Sequence, residues 1–541
     1  MSAHPGGATA VPIETASGGS GDRQAFSSRS VFILAAIGSA VGLGNIWRYP
    51  YVAYESGGGA FLVPYLVALL TAAIPLLFLD YALGHKFRGS SPLSYSRLRR
   101  WLEPLGWVQV LLCFAISAYY AVVLAWALRY FLLSFTLGWG KDSEAFFFGD
   151  FLSLDETPKA IGTYDPGTFA ALALIWVVCI GVVLFGIDRG IGGVNKVLLP
   201  TLFAAFVALV VRALFLEGAM AGLDAFFSPN WGALKDPAVW VAAYGQVFFS
   251  TSVAIGAMLT YASYLKLRTN LTGSGLVVAF SNASFEVLAG IGVFACIGFL
   301  AGQQGVGVDE AVAGGPGLAF VVFPALISEM PFGQFFGVLF FGCLVVAGVT
   351  SLVSLIQVVG AGVGEKFGMG HRAGTLVAGG ATAAISLVFF PTSSGLMVLD
   401  VVDNWVNNVM LVGFAAISCL LVAWGARALP RLAHHLNAVG SFPVGWFWML
   451  CVGVLTPAVL VYTVYRGIVT LQAENYEGYP SQFLNIFGWG MSGAIIVLAI
   501  LLSFVPWVRE EKLAPAYDVD DDDPSYGRTD IERTDLEGSR A

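Results

Sequence analysis

Apolar residues run in long blocks from Val31 to Trp507, separated by short polar stretches. Twelve blocks stand out, at 31–54, 60–84, 105–135, 168–186, 195–217, 238–265, 275–301, 333–364, 374–390, 398–424, 444–468 and 485–507. Most exceed the roughly 20 residues that an α-helix needs to cross a bilayer. The longest must tilt or extend into water. The pattern predicts an all-α polytopic membrane protein with about twelve transmembrane helices.

Two blocks are interrupted. In the first, Gly38-Ser-Ala-Val-Gly-Leu-Gly-Asn45 places three glycines in seven positions, and each costs about 1 kcal/mol against alanine inside a helix. In the sixth, Phe249-Ser-Thr-Ser-Val-Ala-Ile-Gly256 is rich in hydroxyls. Non-helical backbone at membrane depth is tolerated only where it is buried in protein or lines a cavity. Blocks one and six are the expected places if helices 1–5 (31–217) and 6–10 (238–424) are two inverted copies of one unit, with 444–507 adding two more helices. Paired broken helices point to a midplane binding site. Half-helix N-termini attract anions, and freed carbonyls bind cations. Glycines here also suit close packing, and the pattern alone leaves that alternative open.

Composition agrees with a bilayer protein. Of 541 residues, 57% are hydrophobic and 11% charged, against roughly 25% charged in soluble proteins; the mean hydropathy is +0.78. The 65 glycines suit close helix contact in lipid. Loop charge alternates. Lys86, Arg88, Arg97, Arg189, Lys266, Lys366 and Arg431 fall in one set of loops, and Asp142, Asp155, Asp224, Asp309 and Glu474 in the other. The positive-inside rule puts the basic set and both termini in the cytoplasm. Residues 1–30 read as a flexible polar tail with no cleavable signal. Residues 508–541 read as an acidic disordered tail, since 509–541 hold eleven acids against five Lys and Arg. The excess of Arg over Lys, with acids in the tail and outer loops, points to a salt-adapted prokaryote.

Candidate chemistry is sparse. Cys113, Cys179, Cys296, Cys343, Cys419 and Cys451 all lie in apolar runs and read as small buried hydrophobes. His4, His85, His371, His434 and His435 are placed in tails or loops, with His434-His435 as a solvated juxtamembrane pair. No converging nucleophile or metal-ligand spacing suggests an enzyme. No filter motif suggests a channel. A receptor that does not transport is not excluded by the residues.

Longer motifs carry more. Gly38-Ser-Ala-Val-Gly-Leu-Gly-Asn-Ile-Trp-Arg-Tyr-Pro50 is followed by Gly57-Gly-Gly-Ala-Phe-Leu-Val-Pro-Tyr65, Tyr119-Tyr120, Gly245-Gln-Val-Phe-Phe-Ser250, Tyr261-Ala-Ser-Tyr264 and Ala347-Gly-Val-Thr-Ser351. In content and order these resemble the neurotransmitter:sodium symporter family, closest to its prokaryotic amino-acid members, over about residues 23 to 507. The resemblance implies sodium-coupled import of a small neutral amino acid by alternating access, with no cofactor and with sodium ions at two sites as the coupling ions. The implied partners are that substrate, sodium and the lipid bilayer of the cell membrane; nucleic acid is not among them, and a homodimer stays open.

The resemblance also implies site residues. A first sodium site takes Ala40, Asn45, Ser250 and Asn282, completed by the substrate carboxylate; many amino-acid members have threonine at the Ser250 position. A second takes carbonyls of Gly38, Val41 and Ala347 with hydroxyls of Thr350 and Ser351. The substrate carboxylate meets Leu43, Gly44 and Tyr120, and its ammonium meets Ala40, Phe249, Ser250 and Ser252. Its side chain packs among Ile116, Phe249, Ile255 and Leu355, beside Ser39 and Ser351. Arg48 and Asp403 match an outer ion-pair gate, with Phe249 as a lid above the substrate. Arg23 and Glu365 match an inner gate latched by Ser263 and Tyr264, although the family's usual aspartate is Glu365 here and its usual tryptophan is Phe26. Glu286, with Tyr65 and Gln246, stands where chloride-dependent members use a serine, which implies chloride independence.

Overall fold

A computed structural model describes residues 25–311 and 315–513, apart from the side chains of Glu511 and Lys512. Arg23 and the acidic run Asp520–Asp523 lie outside the described residues. Among the described residues the chain is helical, and β-pairing is limited to isolated bridges at Gly58–Pro229 and Tyr164–Thr392. Long apolar segments in lipid must satisfy their backbone groups internally, which helices do.

Ten described helices are long and apolar enough to cross a membrane: Gly59–Phe87, Arg100–Leu133, Pro166–Leu184, Ile187–Leu214, Leu271–Gln304, Gly333–Lys366, His371–Phe389, Gly395–Gly425, Trp446–Gly478 and Ser481–Phe504. Arg29–Ala40 and Leu43–Glu55 make an eleventh span across a 55° bend. The sixth block is split into Pro237–Thr251 and Ala257–Ala262, each too short to cross alone. We number the spans 1 to 12 in chain order, with 1 and 6 the broken ones.

Both breaks are narrower than the sequence suggests. In span 1 only Val41 and Gly42 leave the helix. The Asn45 Oδ1 accepts from the Gly42 amide at 2.8 Å, so the helix restarts at once. In span 6, Phe249–Thr251 stay helical and the break runs from Ser252 to Gly256. Ser252, Ala254 and Gly256 have φ of 51°, 60° and 83°, and for the two non-glycines that backbone persists only where the surroundings impose it.

Burial sets two groups of spans apart, with spans 10 and 11 between them at 56% and 39%. Spans 2, 3, 7 and 8 are each 67–78% buried over their most apolar stretch, and spans 4, 5, 9 and 12 only 22–33%. The first group therefore surrounds the broken pair and the second faces lipid. All six cysteines are buried and free. Cys113 is more than an apolar filler, since its thiol donates to the Ile255 carbonyl inside the span 6 break at 3.0 Å.

Three basic-face residues depart from expectation. His85 is not in a loop. It lies in the last turn of span 2, buried, with Nδ1 3.0 Å from His435 Nε2 and Nε2 2.9 Å from the Lys266 carbonyl. His435 is buried too, on the amphipathic helix Leu429–Val439, so the His434-His435 pair is not solvated as a whole. That helix turns its apolar stripe, His435 included, onto the end of span 2. Lys366 is fully buried and donates to Glu103 at the start of span 3. The Glu103 carboxylate also accepts from Trp107 Nε1 at 3.1 Å and Trp507 Nε1 at 3.0 Å.

Removing one partner of a buried ion pair strands the other and costs about 3–5 kcal/mol, whereas apolar replacement of both is often tolerated. Lys366→Met should therefore lower the thermal midpoint of the purified protein clearly, and Glu103→Leu/Lys366→Met should recover most of the loss. A single variant as stable as the parent would show that the pair contributes nothing.

Candidate functional site

The two breaks lie side by side. Ser252 Oγ in span 6 donates to the Ser39 carbonyl in span 1 at 3.1 Å. A cavity of about 820 Å³ opens from this junction. All twelve residues expected at the substrate line it, from Ser39 and Ala40 through Leu43, Gly44, Ile116, Tyr120, Phe249, Ser250, Ser252 and Ile255 to Ser351 and Leu355. Its walls continue past Arg48 and Asp403 to Phe147, Gly315, Asp400 and Glu477. It therefore opens toward the acid-rich face. Concave, mostly apolar walls with a few polar groups are what small-ligand sites share.

The helix that restarts at Leu43 turns its first amides toward this cavity. Tyr120 OH accepts from Leu43 N at 3.3 Å. A Cβ on Gly42 would stand 3.1 Å from Tyr120 OH and 3.2 Å from Ser351 Oγ. A Cβ on Gly44 would stand 2.0 Å from the Phe249 ring, so Phe249 packs directly on the backbone.

Two groups of neutral oxygens flank the junction. In the first, Asn45 Nδ2 donates to Asn282 Oδ1 at 2.9 Å, and Asn282 Nδ2 donates to Ser250 Oγ at 3.1 Å. In the second, carbonyls of Gly38, Val41 and Ala347 all lie within 3.4 Å of Ser351 Oγ. Thr350 Oγ1 donates to the Ala347 carbonyl at 2.9 Å. Carbonyls converging from a broken helix suit a hard cation. Beside the first group, Glu286 is fully buried and accepts from Tyr65 OH and, at 2.6 Å, from Gln246 Nε2.

The residues expected at the gates divide between the two faces. Arg48 lies over the Phe249 ring at 4.5 Å, while Asp403 accepts from Asn407 Nδ2 at 2.7 Å. The two line one cavity without a direct ion pair. On the basic face, Phe26 is buried against Phe32 and Tyr261, and its amide donates to the Tyr264 carbonyl at 3.2 Å. Gln357 Nε2 donates to Tyr264 OH at 2.8 Å, and Ser263 Oγ donates to the Thr260 carbonyl at 2.6 Å. Glu365 accepts from Ser90 N at 2.8 Å.

The structure adds residues that sequence reasoning passed over. Asp80 of span 2 is buried and accepts from Ala254 N, in the span 6 break, at 3.0 Å. Its signal was present, since it is the lone carboxylate in that apolar block. Ser354 shares a hydrogen bond of 2.7 Å with Ser39, one of the cavity-lining residues.

Comparison with known proteins points the same way. The model of the sodium:neurotransmitter symporter family matches residues 23–147 and 140–510. A sodium-dependent transporter of Methanocaldococcus jannaschii is 36% identical over 485 residues, covering 90% of this chain and 97% of that one. The sodium- and chloride-dependent taurine transporter of Rattus norvegicus is 27% identical, covering 92% of this chain and 87% of its own. The sodium-dependent dopamine transporter of Bos taurus is 28% identical, covering 92% of this chain and 77% of its own. With its broken helices, cavity and paired oxygen groups, the chain belongs to the sodium:neurotransmitter symporter family.

Proposed function

We propose that the protein carries a small neutral amino acid across the membrane with sodium, by alternating access and without chloride. The observation that supports this substrate class best is Gly42. An aspartate there would have to grow its side chain between Tyr120 OH and Ser351 Oγ, at the contacts of 3.1 and 3.2 Å given above. Glycine leaves that space to the substrate. The first amides of a helix carry partial positive charge and favour an anion, which an amino acid supplies through its carboxylate and a decarboxylated amine does not.

Sodium would sit in the two oxygen groups, at Ala40, Asn45, Ser250 and Asn282 and at Gly38, Val41, Ala347, Thr350 and Ser351. The substrate carboxylate would complete the first, so substrate and sodium would each raise the other's affinity, by about 1–3 kcal/mol for sites coupled in this way. Glu286 supplies a fixed negative charge beside that group, the electrostatic role that chloride would otherwise fill. A charge buried at membrane depth is expensive and functional by default. Arg48 and Asp403 would close over the Phe249 lid at the acid-rich face, which we take as the outer one. Arg23, Glu365, Ser263 and Tyr264 would govern the other.

A screen of neutral amino acids against the purified protein, in sodium and in potassium, tests the substrate class. Sodium-dependent binding of an amino acid is expected; sodium-dependent binding of a monoamine without its parent amino acid would overturn the assignment. In proteoliposomes, replacing chloride by gluconate should leave uptake unchanged in the parent and slow it at least fivefold in Glu286→Ser. A parent that stops without chloride would remove Glu286 from this role. Gly44→Ala should cut sodium-driven uptake at least tenfold because the new methyl displaces Phe249, and unchanged uptake would show that the ring position does not matter.

A further inference from the structure

Span 5 lies against the basic-face half of span 1. A Cβ on Gly192 would stand 2.5 Å from Val31 Cγ1, so the Val31 side chain packs directly on the span 5 backbone. One turn further along span 5, Asn195 is 1% exposed. Its Nδ2 donates to the Ile191 carbonyl at 2.9 Å. That carbonyl can only accept, so the nitrogen must face it and the direction of the carboxamide oxygen is fixed. The oxygen has no hydrogen-bond donor in the protein.

That oxygen abuts the backbone of Gly38, one of the residues of the second oxygen group. A Cβ on Gly38 would lie 2.0 Å from Asn195 Oδ1 and 3.4 Å from Thr350 Cβ. Asn195, Gly38 and Thr350 therefore meet at one point, and the Gly38 carbonyl is one of the three that converge on Ser351 Oγ. A buried, undonated amide oxygen beside such a group has the chemistry of a cation ligand. Pure packing explains it poorly, because an apolar side chain of the same size would fill the space without leaving a polar atom unsatisfied.

We propose that Asn195 is a further determinant of the second sodium site, its Oδ1 taking the cation as it passes between that site and the basic face. The inference rests on the assignment of that site in the preceding section. It also accounts for Gly38, where any larger residue would occupy the place of the oxygen. As span 5 runs from this point toward Asp188, which holds the Ser27 amide at 2.9 Å, Asn195 lies on the side of the site from which a cation would leave for the cytoplasm.

The test needs no substrate. Thermal unfolding of the detergent-purified protein is followed as sodium chloride replaces choline chloride at constant ionic strength. The reading is the sodium concentration that gives half of the stabilisation. Asn195→Leu, close in size and without the oxygen, should raise that concentration about tenfold. Asn195→Asp, which keeps the oxygen and adds negative charge, should lower it severalfold. Thr350→Ala, run in parallel, should raise it. A structural role would move both Asn195 variants the same way, or change only the midpoint in choline, and either result overturns the proposal. If Thr350→Ala shifts the sodium dependence and neither Asn195 variant does, the site stands and Asn195 is not part of it. If none of the three shifts it, the site assignment falls together with the role of Asn195.

Discussion

Backbone freed from a helix at membrane depth must find partners without water, and the centre of this protein is organised by that constraint. Several of the groups released by the two breaks are met by side chains. Asn45 takes the Gly42 amide, Tyr120 the Leu43 amide, and Asp80 the Ala254 amide. Ser252 and Cys113 donate to the carbonyls of Ser39 and Ile255. The carbonyls of Gly38 and Val41 are left to a single hydroxyl, Ser351, which they share with Ala347. That partial satisfaction is what favours the proposed cation there, because a sodium ion would offer the Gly38 and Val41 carbonyls more than one shared proton can.

The same economy governs charge. Among the described residues, the ionisable groups away from the membrane faces are few, and those discussed here have identified company. Glu286 has Tyr65 and Gln246, Asp403 has Asn407, Arg48 has the face of Phe249, and Glu103 has Lys366 with two indoles. Glu103 and Lys366 join the basic-face ends of two scaffold spans, so their work is structural. Glu286 lies beside Asn282 and Ser250, one helical turn from an oxygen group, where a charge acts on whatever that group holds.

Much of the architecture could be read from the chain because it is written locally. Apolar block length predicts each span, and glycine or hydroxyl clusters predict which two are broken. The family motifs then place the cavity-lining residues, all of which meet in one space. What escaped is long-range. Within the span 6 break, the Ala254 amide is held by Asp80, 174 residues earlier. Lys366 looks like a loop cation until Glu103, 263 residues away, buries it. Asn195 looks like an ordinary polar residue in a helix until Gly38 is brought against it.

The histidines illustrate the point most sharply, since 350 residues separate His85 from His435. Their contact also has a sense of direction. The Lys266 carbonyl can only accept, so His85 Nε2 carries a hydrogen toward it. A neutral His85 then presents a bare Nδ1, and the hydrogen between the rings belongs to His435 Nε2. Carbonyl, first ring and second ring thus form a one-way relay in which each tautomer dictates the next. The end of span 2, the loop after span 6 and the Leu429–Val439 helix are wired in series, and a substitution at any one link would reset the protonation pattern of the others.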